Sequence, residues 1–203
     1  MGNIIKRNTD PERAQSRRTQ VLDAAAVCFS RSGFHGASMS EISKQAGMSA
    51  GHIYNYFDNK DAIIMAFVGI RMENVRNHLG LMETADDPLE YMLHDIAAVV
   101  EQHLDPEFWG VSLEIFAEAS RNPTIGAALQ EADASARAQL RPLLVRGRAQ
   151  RRVATDDATI DGRIETIIAL YNGLALRSLH NPALDRQAVA ASFEVAMRAL
   201  LMS

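Results

Sequence analysis

The chain has 203 residues, 47% of them apolar and 23% charged, with a formal net charge of −4. That length and apolar fraction fill one or two globular cores and exclude a mainly disordered or low-complexity chain. Apolar runs such as Ile63 to Val68 fall far short of the ~18 residues of a membrane span. The basic stretch Met1 to Asn8 lacks the apolar region of a secretory signal, and the single cysteine, Cys28, rules out an intrachain disulfide framework. A cytoplasmic location is therefore expected.

The breakers separate segments that all carry helical periodicity. The first, about 10–32, opens on Asp10-Pro11-Glu12 as a cap with proline at the first helical position, and ends at Gly33. It carries Val21, Leu22, Ala25 and Phe29 at helical spacing. Ser38-Met39-Ser40-Glu41 reads as a capping box opening a short helix over 39–46, with Gly47 as its left-handed stop. Ser49 is the expected cap of another over 50–56. Asn59 or Asp58 caps a helix over 60–82 with the stripe Ile64, Val68, Met72, Val75 and Leu79. Asp87-Pro88 opens the next, to about Leu104, and Pro106 another to about Arg121. Asn122-Pro123 begins a long helix to about Arg152, which Pro142 is expected to bend. Segments over 157–180 and 185–202 complete the chain. No window alternates like a strand, so the expected fold is all-α with about nine helices.

The charge is divided unevenly. Residues 1–60 hold eight Lys and Arg against five Asp and Glu, while residues 61–203 hold thirteen against twenty. A +3 segment thus precedes a −7 segment, which the total hides. The basic segment contains two short helices joined through Gly47-Met48-Ser49, the layout of a helix-turn-helix. Ile42, Ala46 and Ile53 would pack inward, leaving Ala50, Gly51, His52, Asn55 and Tyr56 outward. These small or polar residues suit an approach to base edges and phosphates.

The runs Gly33 to Ser38, Ile42 to Ser49 and Gly51 to Phe57, with Lys60, resemble the N-terminal signature of the TetR family of transcriptional regulators over about residues 17–65. The stretch from Ile164 to Pro182, around Leu170-Tyr171-Asn172-Gly173-Leu174, more loosely resembles the C-terminal domain of the BetI-like branch. The resemblance implies a DNA-binding domain over 1–58 and a ligand-binding and dimerisation domain over 59–203. It implies a homodimer on a palindromic double-stranded operator, released by a small-molecule inducer, with a transport or efflux gene as target. Tyr54, Tyr56 and Lys60 match family residues that hold the phosphate backbone. Ser38, Ser40 and Ser49 add hydroxyls near it, and Arg17 and Arg18, with Lys6, Arg7 and Arg13, suit nonspecific phosphate contacts. Ala50, Gly51, His52 and Asn55 would face the bases; His52 replaces the commoner threonine, which points to an altered sequence preference. An activator, or a helical ligand-binding or protein-interaction module that does not repress through DNA, are the competing readings.

Pocket candidates in the acidic segment are Tyr91, His103, Phe108, Trp109, Phe116 and Tyr171, with ordinary core packing as the alternative for each. Glu107, Glu114 and Glu118 recur on one helix side; beside the aromatics they would suit a lipophilic cation, and otherwise they form a solvated acidic face. Glu90 and His94 have the one-turn spacing of metal ligands but no further ligand in register, so no metal or cofactor is expected. Cys28 reads as core filler. No nucleophile elbow or phosphate loop occurs, which argues against an enzyme. Ile164, Ile168, Leu179, Phe193, Met197 and Leu200 are expected to be shared between a dimer interface and the protomer's own core.

Overall fold

The structure is a computed structural model and describes residues 10–153 and 156–203. These residues form ten helices and no strand: α1 (Asp10–Gly36), α2 (Met39–Gln45), α3 (Ala50–Ile53), α4 (Lys60–Thr84), α5 (Pro88–His94), α6 (Ile96–His103), α7 (Pro106–Ala119), α8 (Pro123–Gln150), α9 (Asp157–His180) and α10 (Arg186–Met202). No helix among the described residues is long and apolar enough to cross a membrane. The expectations for Lys6, Arg7 and the capping side chain of Asp10 lie outside the described residues.

Side-chain caps set most helix starts. Ser38 and Glu41 form the reciprocal capping box of α2, and Asn59 accepts the Ala62 N–H at the start of α4. Asp87, Asn122, Asp156 and Asp185 do the same for α5, α8, α9 and α10, supplying acceptors for donors that the first turn leaves unpaired. Gly33 (φ 70°) and Gly47 (φ 63°) occupy the left-handed region where a Cβ is costly. The first breaks the path of α1 three residues before its end, and the second turns the chain after α2.

Two expected boundaries shift. The helix expected over 87–104 divides at Asp95 (φ −111°, ψ 23°), giving ten helices in place of nine. The helix expected over 50–56 stops at Ile53, because Asn55 and Tyr56 donate three residues back, to His52 and Ile53, in the tighter 3₁₀ pattern. Ser49 has the extended backbone of a cap but makes no side-chain cap bond. Pro142 lies inside α8 without ending it.

Two apolar clusters organise the bundle. One joins Val21, Phe29, Ile42, Ile53 and Ile64 to Ile115 of α7 and Ile125 of α8. The other gathers Leu79, Leu89, Val100, Leu144, Ile164, Phe193 and Met197 from α4 to α6 and α8 to α10. Ile164, Phe193 and Met197 are therefore protomer core rather than interface, and Ile168 and Leu200 pack against the same cluster. Among the six residues expected to be shared, Leu179 is the exposed one, together with Leu176 and Val195.

Polar contacts join the N-terminal end to the rest. Glu114 of α7 accepts the Phe34 N–H at 2.9 Å, and Glu118 pairs with His35 at 2.9 Å and Arg121 at 3.2 Å. Asn122 donates to Asp61. At the far end of α4, Arg146 donates to the carbonyls of Met82, Glu83 and Ala85.

Candidate functional site

At the N-terminal end, Ile42, Ala46 and Ile53 are buried and hold α2 and α3 against α1. Gln20 of α1 donates to the Ala46 carbonyl at 2.6 Å, fixing the end of α2. The face this leaves outward presents Ser49, Ala50, Gly51, Tyr54 and Asn55 exposed, with His52 and Tyr56 half-buried. No atom lies within 4 Å of where a Cβ on Gly51 would stand. His52 Nε2 and the Tyr56 hydroxyl share a hydrogen bond of 3.2 Å, which orients both rings. The outward surface is thus small at α3's start and polar beyond it, a shape that enters a groove.

The remaining candidates divide by what already engages them. Arg17 is exposed and bonds to Gln20, and Ser40 is exposed. Arg18 lies over the Phe57 ring at 4.2 Å and donates to the Tyr56 carbonyl. Ser38 and its N–H are occupied by Glu41. Lys60 Nζ donates to the carbonyls of Phe34 (2.5 Å) and Ala37 (2.7 Å), more distantly to that of His35 (3.4 Å), and lies 4.6 Å from the Phe34 ring centre. Lys60 is thereby a side-chain cap for the end of α1, a role its spacing did not suggest.

Beside the second apolar cluster, against which Tyr171 packs, lies an aromatic seam built mainly from residues of neither cluster. His103 of α6 stands 5.3 Å from Phe108, 5.5 Å from Trp109 and 5.1 Å from Tyr171 of α9 between ring centres. Trp109 in turn contacts Phe116 one face along α7, and Tyr171 contacts Phe193. Five of the six pocket candidates therefore converge. Tyr91 does not; it lies on α5, exposed, beside His78.

One residue of the seam escaped the sequence reading. Arg71 of α4 places its guanidinium carbon 4.7 Å from the Trp109 ring centre and 5.8 Å from that of Phe116, and donates to Ser112 Oγ at 3.3 Å. Among the described residues no carboxylate pairs with it. Burial lowers its pKa from the usual arginine value. The missed signal was its register: position 71 follows Ile64 and Val68 at helical spacing, so a cation sits in an apolar stripe.

The seam's other polar atoms are also underused. Trp109 is 2% exposed, and its Nε1 has no hydrogen-bond partner among the described residues; a buried donor left unpaired costs about 1–3 kcal/mol. Burial, and secondarily the charge of Arg71, lower the His103 pKa, against a raising effect of its bond to Val99. His103 Nδ1 lies 2.7 Å from the Val99 carbonyl, which can only accept, so that nitrogen carries the proton and Nε2 keeps a free lone pair. Burial pushes the Tyr171 phenol up to about 12, holding it protonated as a donor.

The carboxylates weighed for a lipophilic cation are not found beside the aromatics among the described side chains. Glu114 and Glu118 are engaged at the junction with α1, the Glu107 side chain is outside the described residues, and the charge that does reach the aromatics is the positive one of Arg71. Glu90 pairs with Arg151 and His94 with Asp95; no group of three metal-binding side chains occurs among the described residues. Cys28 is buried, and desolvation raises its thiol pKa.

A helix-turn-helix at one end of a helical bundle has the architecture of a DNA-binding regulator, and comparison with known proteins gives the family. Residues 21–67 match the bacterial regulatory proteins of the tetR family, and residues 92–201 match the C-terminal domain of BetI-type transcriptional repressors. The chain belongs to the TetR family of transcriptional regulators. It is 32% identical over 117 residues to the HTH-type transcriptional regulator UidR of Escherichia coli, a match covering 58% of this chain and 59% of that protein's length. Salmonella enterica GusR superposes with a TM-score of 0.75 at 24% identity, covering 97% of this chain and 99% of that one. Bacillus subtilis FadR, solved with stearoyl-CoA, gives 0.72 at 20% identity over 90% and 97% of the two chains.

Proposed function

We propose that this chain is a ligand-responsive transcriptional repressor that binds a palindromic DNA operator as a homodimer. The carrying observation is the outward face of the α2–α3 pair, where Ala50, Gly51 and Asn55 are exposed beside the hydrogen-bonded His52 and Tyr56. In this reading Ala50, Gly51, His52 and Asn55 meet base edges, and Arg17, Ser40, Ser49 and Tyr54 meet phosphates. Arg18, Ser38, Tyr56 and Lys60 hold the frame, because their polar groups are already engaged within the protein. Residues 1–58 form the reading domain and 59–203 the ligand and dimerisation domain. Leu176, Leu179 and Val195, exposed on α9 and α10, supply the apolar surface on which two copies pair, as in other helical bundles. Ligand lowers operator affinity by favouring a conformer with a different spacing of the two recognition helices.

Footprinting the DNA upstream of the chain's own gene tests this reading. A protected palindrome is expected, with operator affinity falling about tenfold in Asn55→Ala, the loss of one good base contact. Absence of any protected palindrome overturns it in favour of a helical module that does not act through DNA. Protection accompanied by raised transcription identifies an activator.

A further inference from the structure

The aromatic seam combines three features that point to one kind of occupant. It holds a half-buried cation, Arg71, whose only polar bond among the described residues is to the Ser112 hydroxyl. It holds a buried indole N–H with no acceptor among the described residues. It also holds the Tyr171 hydroxyl, which makes no hydrogen bond among the described residues. Among the described residues donors exceed acceptors, and a positive charge faces ring surfaces from α7 with no carboxylate pairing with it. An arginine removed from water in this way keeps its charge and is stabilised by a carboxylate placed against its planar fork. Trp109 and Phe116 supply apolar surface against the guanidinium, and His103 joins Trp109 to the rings of Phe108 and Tyr171. Arg71, His103, Phe116 and Tyr171 are each half-buried and Phe108 is exposed, so the seam is reached from solvent.

We infer that the effector is an organic carboxylate with an apolar or aromatic body, its anionic head held by Arg71 and its body against Trp109 and its neighbours. The inference rests on the ligand-responsive reading above and names the chemistry of its ligand. Arg71 sets the sign of the charge, the orphan Trp109 N–H and the Tyr171 phenol add donors to oxygen atoms, and His103 Nε2 accepts from a hydroxyl where the ligand carries one. A cation of the same shape meets a like charge in the seam and is rejected.

Trp109 is the chain's only tryptophan, so its emission reports on the seam directly. The test titrates the full chain with phenylbutyrate and decanoate, each beside its own amide and its own amine. At least one carboxylate is expected to change Trp109 emission saturably, at a concentration at least about tenfold below its amide, with no response to its amine. Arg71→Gln is expected to reduce that advantage to the level of the amide, and Arg71→Lys to keep part of it. An equal or stronger response to amide or amine, no response to either carboxylate, or an undiminished advantage in a folded Arg71→Gln overturns the inference. Operator binding is measured separately by mobility shift. Carboxylate preference without DNA binding sinks the repressor reading alone, and DNA binding without carboxylate preference sinks the ligand assignment alone.

Discussion

Lys60 and Arg71 stand on the same face of α4, three helical turns or about 16 Å apart, and each lies against aromatic rings. Their surroundings differ. The Lys60 ammonium is received by the carbonyls of Phe34, His35 and Ala37, acceptors that the end of α1 leaves open. The Arg71 guanidinium, with a larger donor set, receives one hydroxyl. One cation completes a helix end; the other keeps donors that no described residue receives. Equal charge and similar burial on one helix therefore do not imply equal purpose, and the number of acceptors within reach separates them.

Substitutions can break that contrast. The largest effect is expected from Lys60→Ala, which strips the carbonyls at the end of α1 of their donor. Charge-assisted bonds of this kind contribute about 2 kcal/mol, discounted here for partial exposure, so a fall in Tm of about 4–6 °C by circular dichroism is expected. Ser38→Ala removes one half of the α2 capping box and should cost about 1 kcal/mol in urea unfolding, with the double variant Ser38→Ala/Glu41→Ala costing less than the sum of the two single changes. Arg71→Met should leave the Tm of the ligand-free protein unchanged or raised, since it removes a desolvated charge without breaking an ion pair. A fall as large as that of Lys60→Ala would erase the distinction between the two sites.

The smallest effect concerns pH. His103 has a folded-state pKa below the ordinary 6.5, so the unfolded chain takes up its proton first. Its contribution to stability is complete above pH 6.5 and is lost as pH falls through the folded-state value. Chemical unfolding followed across that range should show a shallower acid-side slope in His103→Gln. An unchanged slope would mean that His103 already titrates in the folded protein as it does in the unfolded chain.

Much of the architecture was legible because its boundaries are chemical. Ser38, Asn59, Asp87 and Asn122 each announce a helix by residue type, and each caps one in the structure. The break at Asp95 was not legible, since neither glycine nor proline marks it and its apolar neighbours keep helical spacing on both sides. The early end of α3 was hidden for a related reason: tighter 3₁₀ bonds follow the same local residue preferences as a continuing helix. The seam was half legible. Its aromatics were visible as a set, but their convergence depends on α6, α7 and α9 meeting, and Arg71 was concealed inside a stripe read for its apolar members. The acidic residues misled because their sequence spacing shows a shared side of α7 but not that α1 occupies it.

That occupation has a mechanical consequence. α4 carries Arg71 at the seam and Lys60 at the end of α1, while α7 carries Trp109 and Phe116 at the seam and Glu114 against the Phe34 N–H. Both run from the aromatic group to the residues just after the Gly33 break. The reading end is thus mounted on two rails that share both anchorages. A shift of one rail relative to the other by about an ångström would stretch the 2.9 Å Glu114 bond past hydrogen-bonding length. The pair resists a simple swing of either helix and transmits relative sliding directly to the base of the helix-turn-helix.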